Sequence, residues 1–257
     1  MATVGSGKYT YEYIPDWATL PSGQEFGTCS AVATDSQDRV YVFQRKSPPV
    51  LVFDRQGKFL NSWGDGMFDD PHGSFIQGDS AYLTDREGSI AMKCSLDGKP
   101  LLSSGTKGEY SDTGCEVAGE VCPRSAGPFN YVTEMVPAPN GELYISDGYR
   151  NARVHRFSAA GDLISSWGEP GKGGPKQFHL PHSLIVGADG QVYLCDPENS
   201  AAGDGNVLSS CGRFKHGGAA VDGQNRVYLT EDRPQGCFYR MTPLSSSDPS
   251  AGDLEAL

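Results

Sequence analysis

Five histidines, seven cysteines and a recurring set of aspartates are the residues of this 257-residue chain whose types and spacing can do chemistry. His72 (in DPHGS) and His182 (in LPHSL) each follow a proline and open an apolar run, with a tyrosine 10 and 11 residues further on. Imidazoles placed alike on different units can share a metal ion, or can simply close a turn. His216 (in RFKHGGAAVD) precedes its tyrosine by 12 residues, so Gly217 is the residue in register and His216 reaches the same place only through a bulge. Three neutral imidazoles would leave zinc an open position from which to polarise an oxygen or acidify a bound water. His155, in ARVHRF, is expected to face solvent from a strand. His179, on the approach to His182, is not expected to be a ligand. No C-x-x-C pair is present, and an odd number of cysteines makes a poor disulfide framework. Cys115 and Cys122 share one irregular loop and either pair there or remain thiols. Asp85, Asp147 and Asp196 hold one repeated position and are expected to accept hydrogen bonds from loop backbone rather than act as acids. Trp63 and Trp167 also hold matching positions, which packing explains better than ligand stacking.

The elements that position these residues come from a repeat. Four segments follow G-x-x-[LI]-x-S-x-G: GKFLNSWG from Gly57, GKPLLSSG from Gly98, GDLISSWG from Gly161 and GNVLSSCG from Gly205. An apolar-Tyr-apolar strand recurs at Tyr41, Tyr82, Tyr144, Tyr193 and Tyr228, at intervals of 41, 62, 49 and 35 residues. A strand-rich period of this size is the mark of propeller blades, which bury their faces by stacking. The expected fold is therefore all-β, one propeller over residues 1–257 built of NHL-type four-stranded blades. Five units are counted, and the fourth is shortened after Ser200. Residues 106–127 form an inserted loop in the longest interval. The N-terminal strand, residues 8–17, is expected to close the last blade, whose fourth strand is not evident after CFYRMT.

Composition excludes several classes. Twenty-one basic against 32 acidic residues leave a formal net charge of −11, which repels a phosphate backbone and argues against nucleic acid. No apolar run reaches the ~18 residues of a membrane span. The first residues show no signal-peptide core, so a cytoplasmic location is expected of the chain as written, and a secreted or periplasmic one if a leader has been trimmed.

The stretch DGYRNARVHRFSAAGDLISSWGEPG, followed by QFHLPHSLIVGADGQVYLCDPENS, resembles the lyase domain of peptidylglycine α-amidating enzymes and its bacterial relatives. The resemblance implies a six-bladed propeller that cleaves a peptidyl-α-hydroxyglycine to a peptide amide and glyoxylate. It places zinc on His72 and His182, with the third ligand falling to His216. It assigns catalysis to Tyr149 in SDGYRN and Arg45 in VFQRKS, and a structural calcium to the backbone carbonyls of Val32 and Ser74. The chain departs from the pattern at Pro197, where the family's supporting arginine stands, at Gly217, where it has a calcium-binding aspartate, and in counting five units rather than six. Weak or absent catalysis is the expectation. Two other classes remain: a non-catalytic NHL propeller that binds a peptide or protein on its rim, and a lactonase-type hydrolase with carboxylate-bound calcium, for which no Glu/Asp set is visible. Metal content separates the three.

Overall fold

A computed structural model describes residues 3–6, 9–12, 14–172, 176–198, 216–221, 227–231, 238–243 and 252–256, with side chains over 14–172 and 176–198. Every regular element named in it is a strand. The N-terminal hairpin is β1 (Thr3–Ser6) and β2 (Tyr9–Glu12). The first four-stranded antiparallel sheet is β3 (Cys29–Thr34), β4 (Val40–Gln44), β5 (Val50–Phe53) and β6 (Phe59–Trp63). The second is β7 (Pro71–Gln77), β8 (Ser80–Asp85), β9 (Ile90–Ser95) and β10 (Pro100–Ser104). The third is β11 (Val132–Pro137), β12 (Leu143–Asp147), β13 (Arg153–Phe157) and β14 (Leu163–Trp167). A short parallel pair, β15 (Glu169–Pro170) and β16 (Gln177–Phe178), leads to the fourth unit, of which β17 (Ser183–Val186) and β18 (Val192–Cys195) are described. The fifth is β19 (His216–Val221), β20 (Val227–Glu231), β21 (Phe238–Pro243) and β22 (Gly252–Ala256). The chain is a β-propeller, and Tyr41, Tyr82, Tyr144, Tyr193 and Tyr228 each lie on the second strand of a different sheet.

The repeat makes physical sense once the sheets are stacked. Tyr41, Phe43, Val50 and Val52 of the first sheet pack on Ala81 and Leu83 of the second. Tyr82 and Ala91 pack in turn on Met135, Leu143 and Ile145 of the third, and Val136 and Val154 on Phe178 and Leu184 of the fourth unit. Full burial of each large side chain contributes roughly 1.5–3 kcal/mol, so these interfaces rather than the sheets themselves hold the fold. The repeat glycine serves the same contact. Gly98 turns the chain at φ +91°, and a Cβ there would stand 2.7 Å from the indole of Trp63 in the preceding blade.

Two expectations change. The fourth strand of the last sheet is β22, paired to β21 from Tyr239↔Ala256 to Pro243↔Gly252, where the N-terminal segment 8–17 was expected. That segment has other partners: β2 pairs with β1, while Trp17, with Ala18 and Leu20, covers Val42, Leu51 and Phe53 of the first blade. His155 does not face solvent. It is fully buried, with Nδ1 2.7 Å from Ser166 Oγ and Nε2 3.2 Å from Asp147 Oδ2. A strand buried on both faces offers no solvent side, so a polar residue there must find protein partners. The segment after Ser200, where the fourth unit is short, lies outside the described residues.

Candidate functional site

The polar residue that ends each second strand organises the loop entering the first strand. Gln44 accepts from Gly27 N (2.7 Å), Asp85 from Asp69 N and Asp70 N (2.7 and 2.8 Å), and Asp147 from Asn130 N (3.0 Å). Asp196 accepts from His179 N and Leu180 N, both at 2.8 Å. The aspartates are thus backbone acceptors, as their repetition suggested. They fix Asp70-Pro71-His72 and Leu180-Pro181-His182, which carry the candidate chemistry.

His72 sits in the bulge of β7, between the pairs Pro71↔Asp85 and Ser74↔Leu83. Thr133 occupies the corresponding bulge of β11. It ties the two histidine-bearing loops together: its carbonyl accepts from His72 Nδ1 at 2.9 Å and from Thr84 Oγ1 at 2.7 Å, and its hydroxyl donates to Pro181 O at 2.9 Å. A carbonyl can only accept, so His72 carries its proton on Nδ1 and presents the Nε2 lone pair inward. Burial, helped by the nearby His182, pushes the His72 imidazole down to about 3, so it is neutral at physiological pH.

Tyr149, on the loop after β12, completes the cluster. Its hydroxyl oxygen lies 3.3 Å from His72 Nε2 and 3.1 Å from His182 Nε2, and the two imidazole centroids are 5.0 Å apart. The phenol can donate to the His72 Nε2 lone pair and accept from His182 Nε2, so the three groups form a hydrogen-bonded chain suited to proton exchange, or to a shared cation when both Nε2 atoms are unprotonated. Burial holds the phenol above its ordinary value, while Arg86 and Arg45 pull it down. The inserted loop fixes the backbone beneath: Gly119 N donates to Tyr149 O at 2.7 Å, and Gly119 O lies 2.9 Å from His179 Nε2. His179 is therefore a loop tether. Cys115 and Cys122, in the same loop, are thiols, each 3.9 Å from the Glu120 carbonyl.

Arg45 reaches the site from the first blade, its Nε 3.3 Å from Pro71 O and 2.7 Å from Asp70 Oδ1. Arg86 shares that carboxylate, Nε to Oδ2 at 2.5 Å, and its guanidinium lies 5.0 Å from the centroid of the Tyr149 ring. Sequence reasoning missed Arg86. The signal available was its place directly after Asp85, matching Pro197 after Asp196.

Val32 and Ser74 line a channel cavity of roughly 510 Å³ together with His72 and His182. Glu134, also missed, lies on the same wall. Its Oε2 accepts from Ser183 Oγ (2.5 Å) and Leu184 N (3.0 Å), and burial pushes its carboxyl up to about 7. His216 opens β19, paired with Glu231 as Pro71 is with Asp85. Gly217 therefore takes the bulge position of His72, while the His216 side chain lies outside the described residues. The imidazole pair suits zinc in type, with the Nδ1 of His72 anchored as metal-ligating histidines commonly are. Among the described residues no three His, Cys, Asp or Glu side chains cluster as a metal site.

Known proteins are related to this chain in sequence. NHL repeat-containing protein 3 of Mus musculus is 32% identical over 194 residues, covering 70% of this chain and 52% of that protein. The chain is an NHL-repeat β-propeller homologous to the amidating lyases. The propeller is 28% identical over 230 residues to peptidylglycine alpha-amidating monooxygenase of Rattus norvegicus, covering 76% of this chain and 22% of that one. With peptidyl-alpha-hydroxyglycine alpha-amidating lyase 1 of Drosophila melanogaster it shares 26% identity over 241 residues, 80% of this chain and 42% of the lyase. It thus spans about half the length of the NHL protein and about a fifth of the rat enzyme. The alkaline phosphatase PhoX family also matches, over residues 135–256. Among solved structures, a catalytically inactive virginiamycin B lyase from Staphylococcus aureus with quinupristin superimposes with a TM-score of 0.61 at 13% identity, over 92% of this chain and 72% of that one. A putative 6-phosphogluconolactonase from Bacteroides fragilis gives 0.59 at 16% identity, over 92% and 73%. At such identities these two establish the fold alone.

Proposed function

We propose that this propeller carries a lyase site of the amidating type, directed at a peptidyl-α-hydroxyglycine or a closely related carbinolamide, and that its turnover is low. The observation behind this reading is the Tyr149 hydroxyl 3.3 and 3.1 Å from two inward-facing imidazoles. In the reaction, the substrate hydroxyl loses its proton, its oxygen becomes the carbonyl of glyoxylate, and the C–N bond breaks. The nitrogen leaves as the peptide amide with a proton. In this reading Tyr149 takes the hydroxyl proton and returns one to the nitrogen. Arg45, its Nε held near Pro71 O and Asp70, orients the carboxylate of the substrate. Zinc on His72 and His182 would supply a Lewis acid for the substrate oxygen. Low turnover follows from Gly217 in the third bulge position and Pro197 after Asp196. A missing ligand weakens the metal, and lost support around a metal site commonly costs on the order of 10- to 100-fold.

The test is glyoxylate release from a peptidyl-α-hydroxyglycine with and without added zinc. Zinc-dependent release well below ~10 per second, abolished in Tyr149→Phe, supports the reading. Release that persists unchanged in Tyr149→Phe overturns it. The similarity to NHL repeat-containing protein 3 favours a second reading, a non-catalytic propeller that binds a peptide or protein on its rim. That reading requires no glyoxylate and no zinc at stoichiometric level.

A further inference from the structure

We propose that Cys115 and Cys122 are a redox pair, and that the disulfide they form by exchange with a low-molecular-weight disulfide locks the inserted loop onto Tyr149 and His179. The two thiols share one carbonyl, each sulfur 3.9 Å from Glu120 O, and Cys115 Sγ also lies 3.3 Å from Val117 O. Burial, and after it a hydrogen bond with the Cys115 thiol, pushes the Cys122 thiol up, so the two sulfurs are direct neighbours. Among the described cysteines, Cys29, Cys94 and Cys195 lie on β3, β9 and β18, and only this pair shares a loop. Exposure divides the roles: Cys115 is partly exposed and Cys122 is buried. The Cys115 thiolate attacks one sulfur of the small disulfide RSSR, forming Cys115–S–SR and releasing RS⁻. Cys122 then gives up its proton and attacks the Cys115 sulfur, forming the Cys115–Cys122 bond and releasing the second RS⁻. The two protein thiols lose two electrons and two protons, and RSSR gains them as two RSH.

The link matters because of what hangs between the two sulfurs. The base of the loop is anchored. Thr113 is buried, its hydroxyl accepts from Asn130 Nδ2 at 3.1 Å, and its carbonyl accepts from Arg124 N at 3.3 Å. The tip has no apolar packing of this kind, since Val117 and Val121 are exposed. Its hold on the site is polar. Glu116 O accepts from Arg150 Nη2, Gly119 N donates to Tyr149 O at 2.7 Å, and Gly119 O lies 2.9 Å from His179 Nε2. These contacts join the tip to the loop after β12 and to the approach to His182. Hydrogen bonds of a loop with little buried apolar surface open readily. A bond from Cys115 to Cys122 removes most open conformations of the residues between them, so the tip stays where Gly119 meets Tyr149. The state of the pair follows the thiol–disulfide balance of its surroundings. The clamp is independent of the chemistry proposed for Tyr149.

The test equilibrates the full chain with reduced or with oxidised glutathione. Mass spectrometry without reduction maps the disulfides, and backbone hydrogen exchange of residues 116–121 and 147–151 is followed in both samples. Oxidised glutathione should yield the Cys115–Cys122 link and slow exchange of 116–121 at least ~10-fold, with slower exchange around Tyr149 as well. Dithiothreitol should restore the faster rates. Cys115→Ser should give neither the link nor the slowing, and Cys122→Ala should stop with glutathione held on Cys115. Thermal unfolding identifies a variant that fails to fold, and the wild type before and after dithiothreitol then carries the comparison. Three results overturn the clamp: glutathione left on Cys115 of the wild type with no Cys115–Cys122 link, a link from either residue to another cysteine, or the expected link with exchange of both segments unchanged.

Discussion

Tyr149 places one hydroxyl between two imidazoles, and removing a single oxygen isolates its contribution. Tyr149→Phe keeps the ring against Arg86 and should lower any glyoxylate release by about 100-fold or more, the usual scale for a lost acid–base group, with little change in stability. Release rates and thermal unfolding of the pair check this. Glu134 gives a pH-dependent counterpart away from the phenol. Its carboxyl is near 7 in the folded state and near 4.5 when unfolded. Between those values the folded state holds more protons, so stability falls as pH rises and the full cost is present above pH 7. Glu134→Gln keeps an oxygen for Ser183 Oγ and Leu184 N, and should stabilise the protein at pH 8 by about 1–3 kcal/mol and hardly at all at pH 4.5. Denaturant unfolding at the two pH values decides it, and a gain of equal size at both would refute it. Single residues were only partly legible in the sequence. His72, His182, Tyr149 and Arg45 could be carried over from a resemblance, because each matches a motif. Glu134 matches none and Arg86 shares only its place after a strand-closing aspartate, so their approach across blades to Ser183 and to Tyr149 is what gives them a role.

At the scale of the element, the first strands do the positioning through a shared bulge. Gly73 follows His72 in that bulge, where a Cβ would stand 2.5 Å from Thr133 O and 2.9 Å from Thr84 Oγ1. Thr133 O is the acceptor that fixes His72 Nδ1. Gly73→Ala should therefore cost about 1–3 kcal/mol by overpacking, although alanine is ordinarily no worse in a strand, and should lower zinc affinity as well. Thermal unfolding and zinc titration read the two effects, and an unchanged zinc affinity would show that the bulge does not set the histidine. The inserted loop acts on the other side, through Gly119 N on Tyr149 O. Strands were legible because their tyrosines, turn glycines and closing aspartates recur. His155 misled because alternation marks a solvent face only where a sheet has one. The loop's role was illegible for a different reason: it works through backbone atoms, which carry no residue signature.

For the whole molecule, the order of blades is fixed by interfaces that each join one sheet to the next, from Tyr41 on Leu83 to Val154 on Phe178. The first strands β3, β7, β11, β17 and β19 accordingly pack side by side in sequence around the channel. Such an array tolerates no open strand edge cheaply, since unpaired N–H and C=O groups invite pairing with another chain. In the last sheet β22 closes the outer edge of β21 with five paired residues, from Tyr239↔Ala256 to Pro243↔Gly252. The sequence left that strand unassigned because GDLEA lacks the G-x-x-[LI]-x-S-x-G signature of the other fourth strands. The N-terminal segment looked like the better candidate, yet Trp17 is committed to Phe53 of the first blade, 5.9 Å between ring centroids. These two assignments make opposite forecasts. Removing residues 252–256 should bare β21, lower the unfolding temperature by several degrees and raise light scattering on heating, because the N-terminal segment has no freedom to replace the lost strand. Removing residues 1–13 instead should leave the last sheet intact and cost much less. If the two truncations prove reversed in effect, the N-terminal segment, and not β22, is what completes the propeller's last blade.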